Sequence, residues 1–591
     1  MSHNLVQLRR NRDDKSLEDN ALQRLKHVMH DKRQISPEDI VQIARDTRQP
    51  EAAVLGVATY YQDLGLARRG RTRVKVCRGT ACFATSGEQS TAWMEEALGL
   101  KCGETRADGS VGLEEVYCLG FCNAGPSVEV EGRIYTGLTK ERARALAADL
   151  AGGGGMAEAH DASVPPFEAH GGPAIVLERL ALSIDATKLD VARAHGVFEG
   201  LSEALAGSLT PDDVIDHVER SGLRGRGGAG FSTGTKWKLT ASHARKSDEA
   251  YIVCNADEGD PGSYIDKYIM ERDPFAILEG MAIAGFAVGA SRGAIYVRSE
   301  YPRSVPQLKD AVAQARAAGL LGKDILGKGF SFDVDVVEGA GSYVCGEETA
   351  LLRSLEGLRG MVTARPPFPA EKGLFGKPTV VNNVETLACV GWIVRHGGDA
   401  YAAIGVGKSK GTKTVSLNER FVRPGVFEVP LGTSLRHVLE GVGGGLKGGA
   451  PIKAVQIGGP LGGILPASLL DTPLGFEELD QVGALLGHGG IVAWADDVDA
   501  RDIAVHLFEF CEKESCGKCF PCRLGARRGF ELTQRLKGAR PAADVKADIT
   551  LLEDLCETMK RGSLCAHGGA IPDPIRSLMR HFGPELEGGA S

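Results

Sequence analysis

Eight of the 14 cysteines fall into two constellations whose spacing could bind metal. Cys77 and Cys82 form one local pair, and Cys118 and Cys122 form another. Four thiolates arranged as two such pairs can hold one iron–sulfur cluster. Zinc also takes paired cysteines, so the spacing favours the cluster and leaves zinc open. The second constellation is sharper. Cys516, Cys519 and Cys522 place three thiols in seven residues, a spacing that wraps three corners of a [4Fe–4S] cube and takes its fourth ligand from a distance. Cys565 lies in the glycine-flanked run GSLCAHG, whereas Cys556 lies mid-helix among apolar residues. A buried helical thiol packs as a small hydrophobe, so Cys565 is the preferred fourth ligand. Cys102, Cys254, Cys345, Cys389 and Cys511 read as packing thiols. Two separated clusters imply electron transfer, with something between them that converts paired electrons to single ones.

Glycine-rich segments supply a second kind of chemistry. Residues 222–234 read GLRGRGGAGFSTG and contain a G-x-G-x-x-G at Gly225, Gly227 and Gly230. The preceding residues have helical rather than strand spacing, so this is a weak dinucleotide fingerprint. Glycines still let backbone approach a ligand closely, and a following helix N-terminus favours phosphate. Arg224, Arg226 and Lys236 add positive charge. A plain flexible loop would leave two arginines and Phe231 among the glycines unexplained. Two acidic segments, NADEGDPG at 255–262 and GAGSYVCGEETA at 339–350, each follow a strand pattern. A strand, Gly-rich turn and helix is where α/β sheets bind ligands. Carboxylates and amides there suit sugar hydroxyls and flavin or nicotinamide edges. The Glu347–Glu348 pair is equally at home as an ordinary helix start, where the helix dipole favours acids.

These residues need a frame. Residues 18–32 have helical apolar spacing, and Ser36-Pro37-Glu38 signals a second helix with a serine cap and proline at its first position. A strand at 73–76 leads into Cys77, with a helix at 94–100 and a strand at 127–130, so residues 1–150 read as a small α/β unit. Residues 151–172, rich in Gly, Ala and Pro, read as a linker. Residues 173–410 predict strands at 251–254, 294–297 and 332–338 and helices at 211–220, 274–288 and 301–318, a Gly-dense α/β domain. Residues 411–497 predict short strands and one helix near 434–440. Residues 498–591 carry helical spacing at Ile503, Leu507 and Phe510 and again at Leu551, Leu555 and Met559, which predicts a C-terminal helical domain.

Composition fits this frame. A length of 591 residues implies roughly four domains. Hydrophobic residues at 43% and charged residues at 25% are those of a globular protein. The 78 glycines are about twice the usual ~7% share. A net charge of −8 makes nucleic acid a poor partner. The N-terminal segment has no apolar secretory run, and the longest apolar stretch, 281–290, is short for membrane insertion. A cytoplasmic location is expected, and clustered cysteines in that compartment mean metal or redox chemistry rather than disulfides.

Taken together, GLRGRGGAGFSTGTKW, NADEGDPGSY, GAGSYVCGEETAL, PPFPA, NNVET and ESCGKCFPCRLG resemble one family over nearly the whole chain. The chain looks like a fusion of the two NADH-oxidising subunits of respiratory complex I. Residues 18–150 are similar to the thioredoxin-like [2Fe–2S] subunit, and residues 175–582 to the flavin-bearing subunit. The resemblance implies a multidomain α/β protein: a thioredoxin-like domain, an FMN/NAD domain at 173–410, a small β-grasp-like domain at 411–497 and a C-terminal helical bundle. It implies FMN held by Gly225, Arg226, Gly227, Gly228, Ala229, Gly230, Phe231, Gly234, Lys236, Asn255, Asp257, Glu258, Asn382 and Asn383. Gly346 and Thr386 join the cofactor-binding set. NAD(H) would stack on the flavin near Phe231, Lys236, Glu347 and Glu348, with Tyr343 lining the same pocket. Lys236, Glu347 and Glu348 are the side chains placed nearest the hydride exchange. It also implies [2Fe–2S] for Cys77, Cys82, Cys118 and Cys122, and [4Fe–4S] for Cys516, Cys519, Cys522 and Cys565.

The chain departs from complex I subunits before PPFPA, where Val362 and Thr363 replace a usual Pro-Arg pair and Arg365 stands at a usual Lys. The segment GGPLGGILP at 458–466 is similar to the diaphorase subunit of NAD-dependent molybdenum or tungsten formate dehydrogenases. A formate dehydrogenase-type catalytic subunit is therefore the expected partner, with hydrogenase subunits or a fused complex I module as alternatives. An iron–sulfur electron carrier without a nucleotide site and a zinc-binding interaction protein are the non-enzyme alternatives.

Overall fold

The computed structural model describes residues 16–152, 164–538 and 540–588. Residues 153–163 of the expected linker lie outside the described residues. The rest of that segment is not all linker. Phe167–Ala169 is a strand that pairs in parallel with Val426–Pro430 at one edge of a six-stranded sheet. Three residues are too few for their alternation to stand out from a Pro- and Gly-rich stretch.

The sheet that positions the site has four parallel strands. Their spatial order is Asp333–Glu338, Arg292–Val297, Tyr251–Ala256 and Thr379–Asn383. The first three in chain order step away from Tyr251–Ala256, and the fourth returns to its other side. That reversal makes a topological switch point between Tyr251–Ala256 and Thr379–Asn383. Open α/β sheets take ligands in the crevice beyond the strand C-termini at such a point.

The two faces of this sheet are covered differently. On one, Ile252 and Cys254 pack with the helix Pro274–Val288. Every residue of that helix except Phe286 is buried, which explains an apolar sequence without a polar stripe. On the other face, Tyr251, Val253, Tyr296 and Val337 pack against Leu22, Leu25, Ile43, Val54 and Val57. Those residues belong to the helices Ala21–Lys32, Pro37–Asp46 and Glu51–Ala58. The first described helices thus close the central sheet while belonging by contiguity to the N-terminal unit. The Ser36 signal is realised as a capping box with Asp39.

The N-terminal sheet has the order Val111–Val116, Thr72–Cys77, Val128–Val130, Arg133–Tyr135, with one parallel and two antiparallel pairings. It is a thioredoxin-like unit whose core includes Val74, Val76, Met94 and Leu146. The six-stranded sheet gathers the short strands of residues 411–497, and the helix expected near 434–440 is a single π-turn, His437–Val442. Lys413 and Glu385, both fully buried, pair to join that sheet to the start of the helix Val384–His396. Ala500–Lys513, Phe520–Leu536, Ala542–Gly562 and Pro572–Leu586 form the C-terminal helical bundle. Among the described residues, no helix is long and apolar enough to cross a membrane.

Candidate functional site

Asn255 and Asp257 stand at the end of one switch-point strand, and Asn382 and Asn383 at the end of its neighbour. Asn255 Nδ2 donates to Gly346 O at 2.7 Å, and Asn255 Oδ1 accepts from the Asp257 N–H at 3.1 Å. The two acidic turns therefore close on each other, and a Cβ at Gly346 would stand 3.3 Å from Asp257 O. Asp257 Oδ2 is buried without a hydrogen-bond partner, and burial pushes this carboxyl well above the usual carboxylate range.

The glycines of the loop do different jobs. A Cβ at Gly227 would come within 2.8 Å of Asn383, at Gly230 within 2.7 Å of the Phe476 ring, and at Gly234 within 2.5 Å of the Glu219 backbone. Gly228 has φ +121 and open space where its Cβ would be, so backbone conformation alone demands glycine there. Gly225 makes only ordinary contacts. Ala229 and Phe231 are exposed, Phe231 by 50%.

Both arginines serve the loop itself. Arg224 lies 3.9 Å over the Phe476 ring and pairs with Glu477 at 2.6 Å. Arg226 is buried, with Nη2 donating to Tyr401 Oη (2.8 Å) and Lys410 O (2.6 Å) and its N–H donating to Thr386 Oγ1 (2.8 Å). The loop is thereby pinned onto the start of the helix Val384–His396. Sequence reasoning offers these two charges to a ligand instead.

Lys236 donates to Val381 O at 2.8 Å and lies 3.7 Å from Glu348, and burial lowers its pKa. Glu348 pairs with Arg365 at 2.7 Å. Glu347 Oε2 caps the helix Glu348–Leu355 through the N–H groups of Thr349 and Ala350, and its Oε1 lies 3.7 Å from Arg365. Lys236, Glu347, Glu348 and Arg365 thus converge on one side of the crevice. Asn382 Oδ1 is taken by Trp237 Nε1 at 2.8 Å.

Two expectations change. The Glu258 carboxylate is fully buried and accepts from Ser263 Oγ and from the N–H groups of Ile265, Asp266 and Lys267. It is a staple for the helix Ile265–Arg272, and its side chain is not presented to the crevice. Tyr343 donates to Asp260 Oδ1 at 2.7 Å, and its ring lies 4.9 Å from Phe510 and 5.6 Å from His567. It bridges the acidic turn to the C-terminal bundle.

Sequence reasoning misses a buried polar cluster beneath the loop. His488 Nε2 lies 2.7 Å from Asp266 Oδ2, which also accepts from Asn383 Nδ2 at 2.5 Å. Asp266, with Glu258, raises the His488 pKa to about 9 against its burial. Gly487 bridges to Gly228, so this segment touches the loop directly. A histidine fenced by glycines, GHGG at 487–490, is the available signal.

The first thiol set lies at the end of Thr72–Cys77, on the short helix Thr80–Ser86, and in the loop before Val128–Val130. All four thiols are buried, and Cys118 Sγ and Cys122 Sγ are 3.4 Å apart. Cys82 and nearby backbone N–H groups pull Cys77 down to about 6, while Cys77 pushes Cys82 well up and Cys118 does the same to Cys122. Thiols so crowded cannot all ionise unless a cationic centre compensates them, which is the donor chemistry of a metal cluster. Gly125 and Gly79 lie close enough that a Cβ would stand 2.9 Å from Cys82 Sγ and 3.4 Å from Cys118 respectively.

The second set is gathered at the start of Phe520–Leu536. Cys516 packs with Val344, Ala350 and Val362 beside Cys565. Cys522 Sγ meets Ser515 Oγ at 3.3 Å and is lowered to about 7 by Cys511, Ser515 and Cys519. Cys556 is fully buried in Ala542–Gly562. The donor set fits a cluster here too.

Both sets abut the crevice. Arg298 donates to Glu258 O and to Tyr117 O, one residue before Cys118. Gly79 faces Pro261, and Gly120 faces Tyr301 and Lys267. On the other side Tyr343 N–H donates to Glu514 at 2.9 Å, two residues before Cys516.

Comparison with known proteins agrees with this layout. Three family models match: the thioredoxin-like [2Fe-2S] ferredoxin at residues 9–151, the Nuo51 FMN-binding domain at 218–392, and the NADH-ubiquinone oxidoreductase-F iron-sulfur binding region at 502–589. The NADP-reducing hydrogenase subunit HndC of Solidesulfovibrio fructosivorans is 45% identical over 404 residues, 68% of this chain and 81% of that protein. An NADH-quinone oxidoreductase subunit of Escherichia coli (strain K12) is 42% identical over 402 residues, 68% of this chain and 89% of that protein. A crystal structure of an NAD+-reducing [NiFe]-hydrogenase in the H2-reduced state superposes with a TM-score of 0.82 at 29% identity, covering 96% of this chain and 92% of that one. The cofactor set is accordingly FMN, NAD(H), one [2Fe–2S] and one [4Fe–4S] cluster. The chain belongs to the family of FMN- and iron–sulfur-bearing NADH dehydrogenase subunits, with the thioredoxin-like [2Fe–2S] domain in the same polypeptide.

Proposed function

We propose that this diaphorase subunit reduces NAD+ with electrons from a partner that oxidises formate at a molybdenum or tungsten centre. The observation that carries the diaphorase reading is the switch-point crevice with one thiol set on each side. When bound, FMN supplies hydride exchange with nicotinamide and single-electron exchange with the clusters. In this reading residues 225–231 bring backbone to the flavin phosphate, and Asn255, Asp257 and Gly346 take ribityl hydroxyls. The unpartnered Asp257 Oδ2 is the acceptor placed for one of them. Lys236, held by Val381 O, orients the ring edge, and Thr386 and Asn383 support the loop from below. Glu347, Glu348 and Arg365 line the nicotinamide side, and Phe231 shields it from water. These groups orient and desolvate, and none acts as a nucleophile. Gly227→Ala, which forces the loop off Asn383, is expected to cut bound flavin several-fold as read by visible absorption. Full flavin content in that variant would remove the loop from the site.

The formate part rests on residues 360–367, which depart from the complex I pattern, and on residues 458–466, whose sequence resembles that of formate dehydrogenase diaphorase subunits. Both flank the crevice: Arg365 pairs with Glu348, and a Cβ at Gly459 would touch Asp260. A hydrogenase partner is the second reading, favoured by the end-to-end structural likeness to the NAD+-reducing [NiFe]-hydrogenase chain. Isolation of the chain with its natural partner distinguishes them. Formate-driven NAD+ reduction with molybdenum or tungsten is expected; hydrogen-driven reduction with nickel would replace the first reading by the second.

A further inference from the structure

Cys511 lies fully buried on Ala500–Lys513, five residues before Cys516. Its Sγ, the Sγ of Cys522 and a ring nitrogen of His567 lie within 4.8 Å of one another. A fifth thiol therefore stands directly against the four-thiol set. It is either a competing ligand or a hydrogen-bond donor.

The His567 ring decides between them. Its Nε2 lies 3.0 Å from Cys511 O. A carbonyl oxygen only accepts, so Nε2 carries the proton. A protonated Nε2 neither ligates metal nor accepts the Cys511 S–H, which lies 3.7 Å away. This rules out a metal held by Cys511, Cys522 and His567 through that nitrogen. The acceptors left for the Cys511 proton are the Cys522 sulfur and His567 O, the latter at 4.0 Å. Once Cys522 ligates iron its sulfur is a thiolate, the stronger acceptor of the two.

We propose that Cys511 is a positioning residue that donates its S–H to the cluster-ligating sulfur of Cys522, with His567 fixing the Cys511 backbone, and so raises the reduction potential of the [4Fe–4S] cluster. Hydrogen bonds to ligating sulfurs draw electron density from the iron and favour the reduced cluster. Ser515 Oγ makes a second such contact, at 3.3 Å. The same His567 ring packs on Tyr343, which reaches the acidic turn through Asp260. The device therefore sits between the flavin side and the cluster. It rests on Cys522 as a ligand and not on the identity of the partner.

The test is an EPR-monitored redox titration of the whole protein in two pairs of variants matched in shape, C511V with C511T and C511A with C511S. The hydroxyl-bearing member of each pair is expected to stay near the parent potential, and the apolar member to shift lower, with iron and FMN per chain unchanged. The second pair answers if the first does not fold. Equal potentials within a pair overturn the proposal. Loss of cluster iron in every Cys511 variant also overturns it, because Cys511 is then a ligand. Full cluster iron in C522S would instead mean that the ligand reading beneath it has failed.

Discussion

Cys565→Ala is expected to remove the [4Fe–4S] iron, silence its EPR signal and drop electron transfer to or from the partner to background, while Cys556→Ala keeps all three. The two thiols lie nine residues apart and invite confusion by sequence alone. Cys556 is fully buried on the helix Ala542–Gly562, and burial pushes both its thiol and that of Cys565 up to about 12, so position in the fold separates them. Cys565 is half-buried, stands at the N-cap of the short helix Ala566–Ala570, where first-turn N–H groups are oriented toward it, and is close enough to Cys516 for the two to interact electrostatically. Oriented N–H groups at a ligating thiolate are what a cluster site needs. Flavin-level oxidation of NADH by a small artificial acceptor is expected to persist in Cys565→Ala, since the crevice residues are untouched. Iron analysis of both variants checks the assignment, and iron loss in Cys556→Ala alone would reverse it.

His488→Ala is expected to destabilise the protein by about 3–5 kcal/mol, the usual cost of breaking a buried charge pair from one side. Asp266 and Glu258 are both fully buried, and His488 is the cation they face. Glu258 has hydrogen-bond donors of its own in Ser263 and the start of its helix, but Asp266 Oδ1 has no partner. Removing the imidazolium leaves the buried Asp266 carboxyl without its cation, and the Asn383 anchor under Gly227 is weakened with it. Folding and loop geometry should therefore fail together. The same pair gives a pH dependence. The folded pKa of His488, about 9, lies above its ordinary value of 6.5. Its contribution is fully present below pH 6.5 and is lost as pH rises through about 9. A shift of that size corresponds to about 3 kcal/mol. Between pH 7 and pH 9.5 the urea midpoint should fall in the parent and change far less in His488→Ala. An equal fall in both would show that other groups titrate.

The features legible in the sequence are the local ones. The cysteine spacing, the strand–Gly-turn–helix segments and the capped helices are written within short windows, and the structure places them as expected. The strand order is a long-range property. Nothing near Asn382 says that Thr379–Asn383 pairs with Tyr251–Ala256, yet that pairing makes the crevice. Residue type also misleads where burial reassigns it. Glu258 in an acidic run looks like a ligand, but it staples a helix. Arg224 and Arg226 look like phosphate charges, but their guanidinium groups hold Phe476 and Glu477, and Tyr401 and Lys410 O. Cys511 looks like packing because its neighbour Cys522 is reached through the fold, eleven residues on across a turn between helices. The three described helices before Thr72–Cys77 fall within the [2Fe–2S] family match at 9–151, as contiguity suggests, but that their apolar faces also cover one side of the central sheet is a long-range property.

The most direct test of the account is an anaerobic NADH titration of the intact chain, followed by visible absorption and EPR on the same sample. The account predicts that the flavin band bleaches with NADH and that a reduced iron–sulfur signal appears. A flavin band unchanged by NADH, or a protein that contains zinc in place of iron, would contradict it.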